Sequence, residues 1–112
     1  MADVPIGNEG AMTGATPKTL LTAPAAATQR IIPSDGARVY NRDTVQHDVT
    51  FQKNKAATVW IIEKIVGVQP GGAATMSKRV VLDAIDESLE GLVDATATTT
   101  EPSFDVAAME TT

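Results

Sequence analysis

Residues 44–52, TVQHDVTFQ, alternate without a break. Val45, His47, Val49 and Phe51 fall on one side of the segment, and Thr44, Gln46, Asp48, Thr50 and Gln52 on the other. A period of two suits a pleated strand with one dry and one wet face, and no α-helix can use it. A lone half-buried strand is not stable, so the rest of the chain must supply further strands to cover it. The next segment, residues 57–68 (ATVWIIEKIVGV), is apolar on both strand faces around Trp60, Ile61 and Ile62. Its β-branched and aromatic density disfavours a helix. It reads as a strand covered on both sides, with Trp60 as a core anchor or, second, a subunit contact.

Turn chemistry divides the remainder into short pieces. KTLLT ends at Ala23-Pro24, which permits an edge strand or a strand end. ATQRII runs into Pro33-Ser34-Asp35-Gly36, a tetrapeptide that presets a turn, and ARVYN follows as another strand. Lys53-Asn54-Lys55 and Gln69-Pro70-Gly71-Gly72 read as breaks. SFDVAAMET closes the chain as a strand with Phe104, Val106 and Ala108 on one face. One stretch divides evenly on local signals. Val81, Ile85, Leu89 and Leu92 make a helical stripe, yet residues 79–82 and 89–96 also suit two strands joined by the acidic turn 83–87.

Composition sets limits on what such a chain can do. Ile, Val, Leu and Phe make only 25 of the 112 residues. That thin core suggests a domain that gains burial by oligomerising. Residues 1–17 carry three Gly and two Pro with few large apolar groups, so they are expected to be a flexible or extended N-terminal arm ahead of a domain at 18–112. No signal peptide is expected, since no basic region followed by an apolar run opens the sequence, and no apolar run is long enough to span a membrane as a helix. Charge is unevenly spread: residues 1–82 carry nine bases and six acids, and residues 83–112 carry eight acids and no base. A nucleic-acid binder is not expected from this distribution. The acidic end reads as a solvated edge, or as a surface that meets the basic middle of a neighbouring copy.

Templates for chemistry fail one after another. The absence of Cys removes disulfides, zinc ribbons and thiol catalysis. A single His excludes a His pair for metal, and His47 is expected as a packed or interface residue. Gly71-Gly72 lacks the Lys-Ser/Thr ending of a phosphate loop, and Asp83, Asp86, Glu87 and Glu90 lack the spacing of a calcium loop. No enzyme, cofactor or metal is expected. A glycan-binding sandwich would need an aromatic platform, which four aromatics hardly supply.

The ordered phrases TLLTAPAAATQRII, RVYNRD, DVTFQ, WIIEKIVGVQPGGAATM, RVVLDAIDESLEGLVDATA and SFDVAAMET resemble a class of small bacteriophage virion proteins. The most specific pieces are Thr22-Ala23-Pro24-Ala25, Val39-Tyr40-Asn41 and Asp86-Glu87-Ser88-Leu89. The chain departs from that pattern in lacking the Pro-Gly-Asp turn before Ser88 and a Gly after Ala25. The resemblance implies an all-β fold, a small antiparallel β-sandwich or jelly-roll-like domain of about eight short strands, which matches the turn spacing. It also implies a structural role on the exterior of the phage head after synthesis in the host cytoplasm. There the chain would be a decoration or cement protein bound to the major capsid protein and to copies of itself as a homotrimer. A tail or head-fibre accessory subunit is the alternative. Contacts with partners are expected from Val4, Pro5, Ile6, Met12 and Pro17 in the arm, and from Tyr40, His47 and Trp60.

Overall fold

The computed structural model describes residues 3–112. Ten strands and no helix make up the described residues: β1 (Val4–Ala11), β2 (Lys18–Leu21), β3 (Gln29–Ile32), β4 (Ala37–Tyr40), β5 (His47–Lys55), β6 (Thr58–Val68), β7 (Ala73–Thr75), β8 (Val80–Leu82), β9 (Glu87–Val93) and β10 (Ser103–Thr111). They form two antiparallel sheets. One has the order β2-β9-β5-β6; the other has β10 at its centre, with β1 along one side and β3 and β4 along the other.

Two pairs of strands are single lanes broken by a bend. β3 and β4 run end to end beside β10, separated by the turn at Pro33-Ser34-Asp35-Gly36. β8 and β7 run end to end beside them. The bends interlock, since the Asp35 amide donates to the Met76 carbonyl (2.8 Å) and the Met76 amide to the Ala37 carbonyl (2.9 Å). Ten strands therefore occupy eight lanes, four in each sheet. Numbered along the chain, lane one pairs with eight, two with seven, three with six and four with five. That nesting is one long antiparallel hairpin wound on itself, and it gives sheet orders 1-8-3-6 and 2-7-4-5. This is the jelly roll. The sandwich of about eight strands expected from turn spacing is the fold observed.

Alternation places the core. Phe51 and Val49 of β5, Leu89 and Val93 of β9, Leu20 of β2, and Ile32, Val39, Phe104 and Val106 of the opposite sheet point between the layers and are buried. β10 buries Phe104, Val106 and Ala108 on one face, as its pattern predicts. The divided stretch resolves as two strands, β8 and β9, with Ile85 exposed in the acidic turn between them. The helical stripe fails because Leu89 finds its partners across β9 and β5, and Ile85 finds none.

Three expectations need correction. Residues 4–11 of the expected arm are strand β1, paired with β10 along eight residues, while Met1 and Ala2 lie outside the described residues. The composition of the segment hides this because Gly7 and Gly10 serve the pairing. A Cβ on Gly7 would stand 2.8 Å from the Val106 carbonyl oxygen. β1 also ties the layers together, as the Asn8 side-chain amide donates to the Leu20 carbonyl (3.0 Å). Second, β6 is an edge strand and not a covered one. Third, Lys53-Asn54-Lys55 belongs to β5, and the turn is Ala56-Ala57.

That turn has positive φ at both residues, 49° and 69°. Two left-handed residues in a two-residue hairpin are the type I′ geometry, which favours Asn-Gly and strains Ala. The turn is held by the Ala57 amide donating to Asn54 Oδ1 (3.1 Å) and the Ala56 amide to the Asp86 carbonyl (3.1 Å). Replacing Ala56 by Asn together with Ala57 by Gly is expected to stabilise the fold by about 1–2 kcal/mol. The check is a higher urea midpoint at unchanged slope.

Candidate assembly surface

Among the described residues, four of the eight large apolar side chains that stand exposed belong to one strand, β6: Val59, Trp60, Ile61 and Val66. Trp60 is 61% exposed, Ile61 63% and Val66 71%. The strand is eleven residues long and pairs with β5 on one side only. A long apolar edge offers unpaired backbone groups together with apolar side chains, which a free-standing protein normally suppresses. The blunting here is slight. Lys64 supplies one exposed charge, and register shifts against β5 bend the strand near Ile62 and Gly67. Gly67 takes φ 74° and its amide donates to Asp48 Oδ1 (2.9 Å). Glu63 does not guard the edge, because its carboxylate accepts from the Ser77 amide (2.8 Å) and hydroxyl and so links β6 to the bend between β7 and β8.

A second surface covers the outer face of the sheet built on β10. Cross-strand register lines up Pro5, Met109, Ile31 and Val81 in one row across four lanes. Beside that row, Ile31, Pro33, Ala107 and Met109 line an apolar groove of about 300 Å³. Ala107 also borders a larger groove of about 670 Å³ over Gly7 and Gly36, rimmed by Glu9, Asp35, Asp105 and Arg38.

The charges of the interior are fully engaged. His47 is 2% exposed, its Nε2 2.7 Å from Asp43 Oδ2 and its Nδ1 2.8 Å from Asp94 Oδ1. Asp43 also accepts from the amides of Thr44, Thr98, Thr99 and Thr100. Burial lowers the His47 pKa, but its bonds to Asp43 and Asp94 outweigh this and raise it. The bond from His47 holds Asp43 well below the usual carboxylate range, against burial and with help from the backbone amides. The charged imidazolium satisfies both carboxylates and fastens the 94–101 loop to the start of β5. Glu87 is also buried. Burial pushes it up, but the Asp83 amide and Lys53 (3.1 Å) outweigh that and bring it down to about 2. The acidic end is thus no loose solvated edge: Glu87, Glu90, Asp94, Glu101, Asp105 and Glu110 all hold partners within the chain.

The residues expected at contacts separate accordingly. Val4 and Pro5 are exposed on β1, Pro17 is exposed just before β2, and Trp60 is exposed on β6, where the core-anchor reading of it fails. Ile6 is half-buried and packs against the core. Tyr40 is half-buried with its hydroxyl on Asp105 Oδ2 (3.2 Å). Met12, at 1% exposure, and His47 are interior and cannot touch a partner without unfolding. Sequence reasoning missed Val59, Ile61, Val66, Ile31 and Met109. An apolar run signals burial without saying whether its own chain or another covers it.

No protein-family model matches the chain, and no curated protein matches it. Among solved structures it is similar to a chain of one titled "Cyanophage Pam1 capsid asymmetric unit", at 14% identity and a TM-score of 0.44, covering 96% of this chain and 80% of that one. At that level of likeness the fold assignment stands on the lane order of the chain itself.

Proposed function

We propose that the chain is a non-enzymatic structural subunit of a bacteriophage virion. In this reading it is a decoration protein on the head exterior, bound across joints between major capsid subunits and present as a homotrimer. The observation that carries the reading is the unguarded apolar edge of β6 on a domain whose interior polar groups are otherwise satisfied. The jelly roll alone would not choose, since it serves viral capsids, lectins and cupins alike. Here its interior is filled by Phe51, Leu20, Leu89 and Phe104, and Trp60 lines none of the grooves described above. The sequence phrases shared with small virion proteins point the same way. Weak contacts repeated over many copies bind strongly in sum.

Co-sedimentation of the purified chain with heads lacking it tests the reading. Wild-type protein is expected to pellet with heads, and a variant with Trp60→Asp and Ile61→Asp to lose at least about tenfold in affinity, since buried Trp anchors dominate interfaces. Wild-type protein that stays in solution, or that is found only at the tail vertex of virions, overturns the head placement.

A further inference from the structure

The two apolar surfaces differ in shape and in charge. The β6 edge is a ridge with one projecting Trp. The face over β10 carries a shallow, open apolar groove of about 300 Å³ lined by Ile31, Pro33, Ala107 and Met109. Around the ridge stand Lys53 and Lys55 on the strand paired with it, Lys64 on it, and Lys78 and Arg79 next to Ser77, which is bonded to Glu63. The acids there are Asp48, bonded to the Gly67 amide, Glu63, Glu87 and Asp86, the last at the hairpin turn through the bond from Ala56. Five bases against four acids leave the ridge at +1. Around the adjoining groove Glu9, Asp35 and Asp105 face Arg38 alone, a net of −2. The two surfaces carry opposite net charge, so each complements the other.

We propose that copies of this chain associate head to tail, with Trp60 of one copy seated in the groove over Ile31, Pro33, Ala107 and Met109 of the next. The proposal deepens the assembly reading and rests on it. A heterologous contact of this kind uses two different patches on each copy, so it either closes into a ring or runs on as a filament. The bulky anchor supplies affinity, and the opposed charges set orientation and the rate of encounter. In this form the acidic end of the chain does meet the basic middle of a neighbour, through Asp105, which is half-buried and also accepts from the Tyr40 hydroxyl.

Light scattering on the full chain tests it with two variants, Trp60→Asp on the ridge and Ala107→Glu on the groove, both at exposed positions, with circular dichroism and melting run on each as the check of its fold. Wild-type protein is expected at a multiple of 11.7 kDa, and each variant alone at 11.7 kDa. Mixed, the two variants are expected to form a one-to-one dimer and nothing larger, because the pair retains one intact ridge and one intact groove. High salt is expected to weaken that dimer. Should Ala107→Glu fail to fold, Met109→Asp replaces it. An Ala107→Glu or Met109→Asp variant that assembles like wild type overturns the proposal in favour of edge-to-edge pairing of β6. Wild-type protein monomeric at about 1 mM also overturns it, because association too weak to detect there cannot order a ring. That result leaves head binding, measured separately, standing or falling alone.

Discussion

Replacing His47 by Leu is expected to lower stability by about 3 kcal/mol, although the two side chains are similar in size. The loss comes from what is left behind. His47 is the charged partner of Asp43, and both are buried. Removing one member of such a pair strands the other in a poor dielectric, and breaking buried pairs typically costs about 3–5 kcal/mol. The lower end applies because Asp43 keeps its backbone amide donors and Asp94 is partly open to water. For a domain of this size the melting temperature should fall by about 10–20 °C. The pH profile separates this cause from lost packing. The raised pKa of His47 means that its contribution is complete below the unfolded value of about 6.5 and is lost as pH rises through the folded value. The depressed pKa of Asp43 means that its contribution is present above the unfolded value of about 3.9 and is lost as pH falls through the folded one. Wild-type stability is therefore expected to be greatest between about pH 4 and 6.5 and to decline on the alkaline side. His47→Leu should lack the alkaline decline. An unchanged alkaline limb in the variant would show that His47 is not the group responsible.

The same residue shows how far the sequence could be read. His47 sits on the dry side of the alternating strand, so its burial follows from period alone. Its partners do not: Asp43 and Asp94 are 4 and 47 residues away along the chain, and only the winding of the lanes brings the second beside it. Turn chemistry at Pro33 and Gly36 and alternation in β5 and β10 were local signals, and they gave the fold class. The neighbours of each strand depend on contacts between distant segments, which no local pattern encodes. Local signals divide evenly over residues 79–96 for that reason, since Leu89 suits a helix stripe and a strand face equally until β5 stands beside it. For β6 the difference has the opposite form. Its apolar run predicts a covered strand, yet Val59, Trp60, Ile61 and Val66 stand exposed, because an apolar run does not say which segment would lie over it.

Met12 gives the sharpest test of where the domain begins. In an arm that straps a neighbour, Met12→Ala would weaken head binding and change stability by less than about 0.5 kcal/mol. In the jelly roll Met12 is 1% exposed, its amide donates to the Pro102 carbonyl (2.7 Å), and its methyl packs over Gly91 beside Leu20. Truncating a buried Met leaves a cavity and costs about 2–5 kcal/mol. The expected result is thus a urea midpoint far below wild type at an unchanged slope, with Val4→Ser, at an exposed position of β1, close to wild type as the control. Deleting residues 2–17 would not make the same distinction. It removes β1 as well as Met12, and so bares the side of β10 on which every residue from Ser103 to Glu110 has a partner. An exposed edge of that length invites pairing with other chains, and loss of head binding would then report aggregation as readily as a lost strap. The point substitution keeps β1 in its place and changes only what lies beneath it.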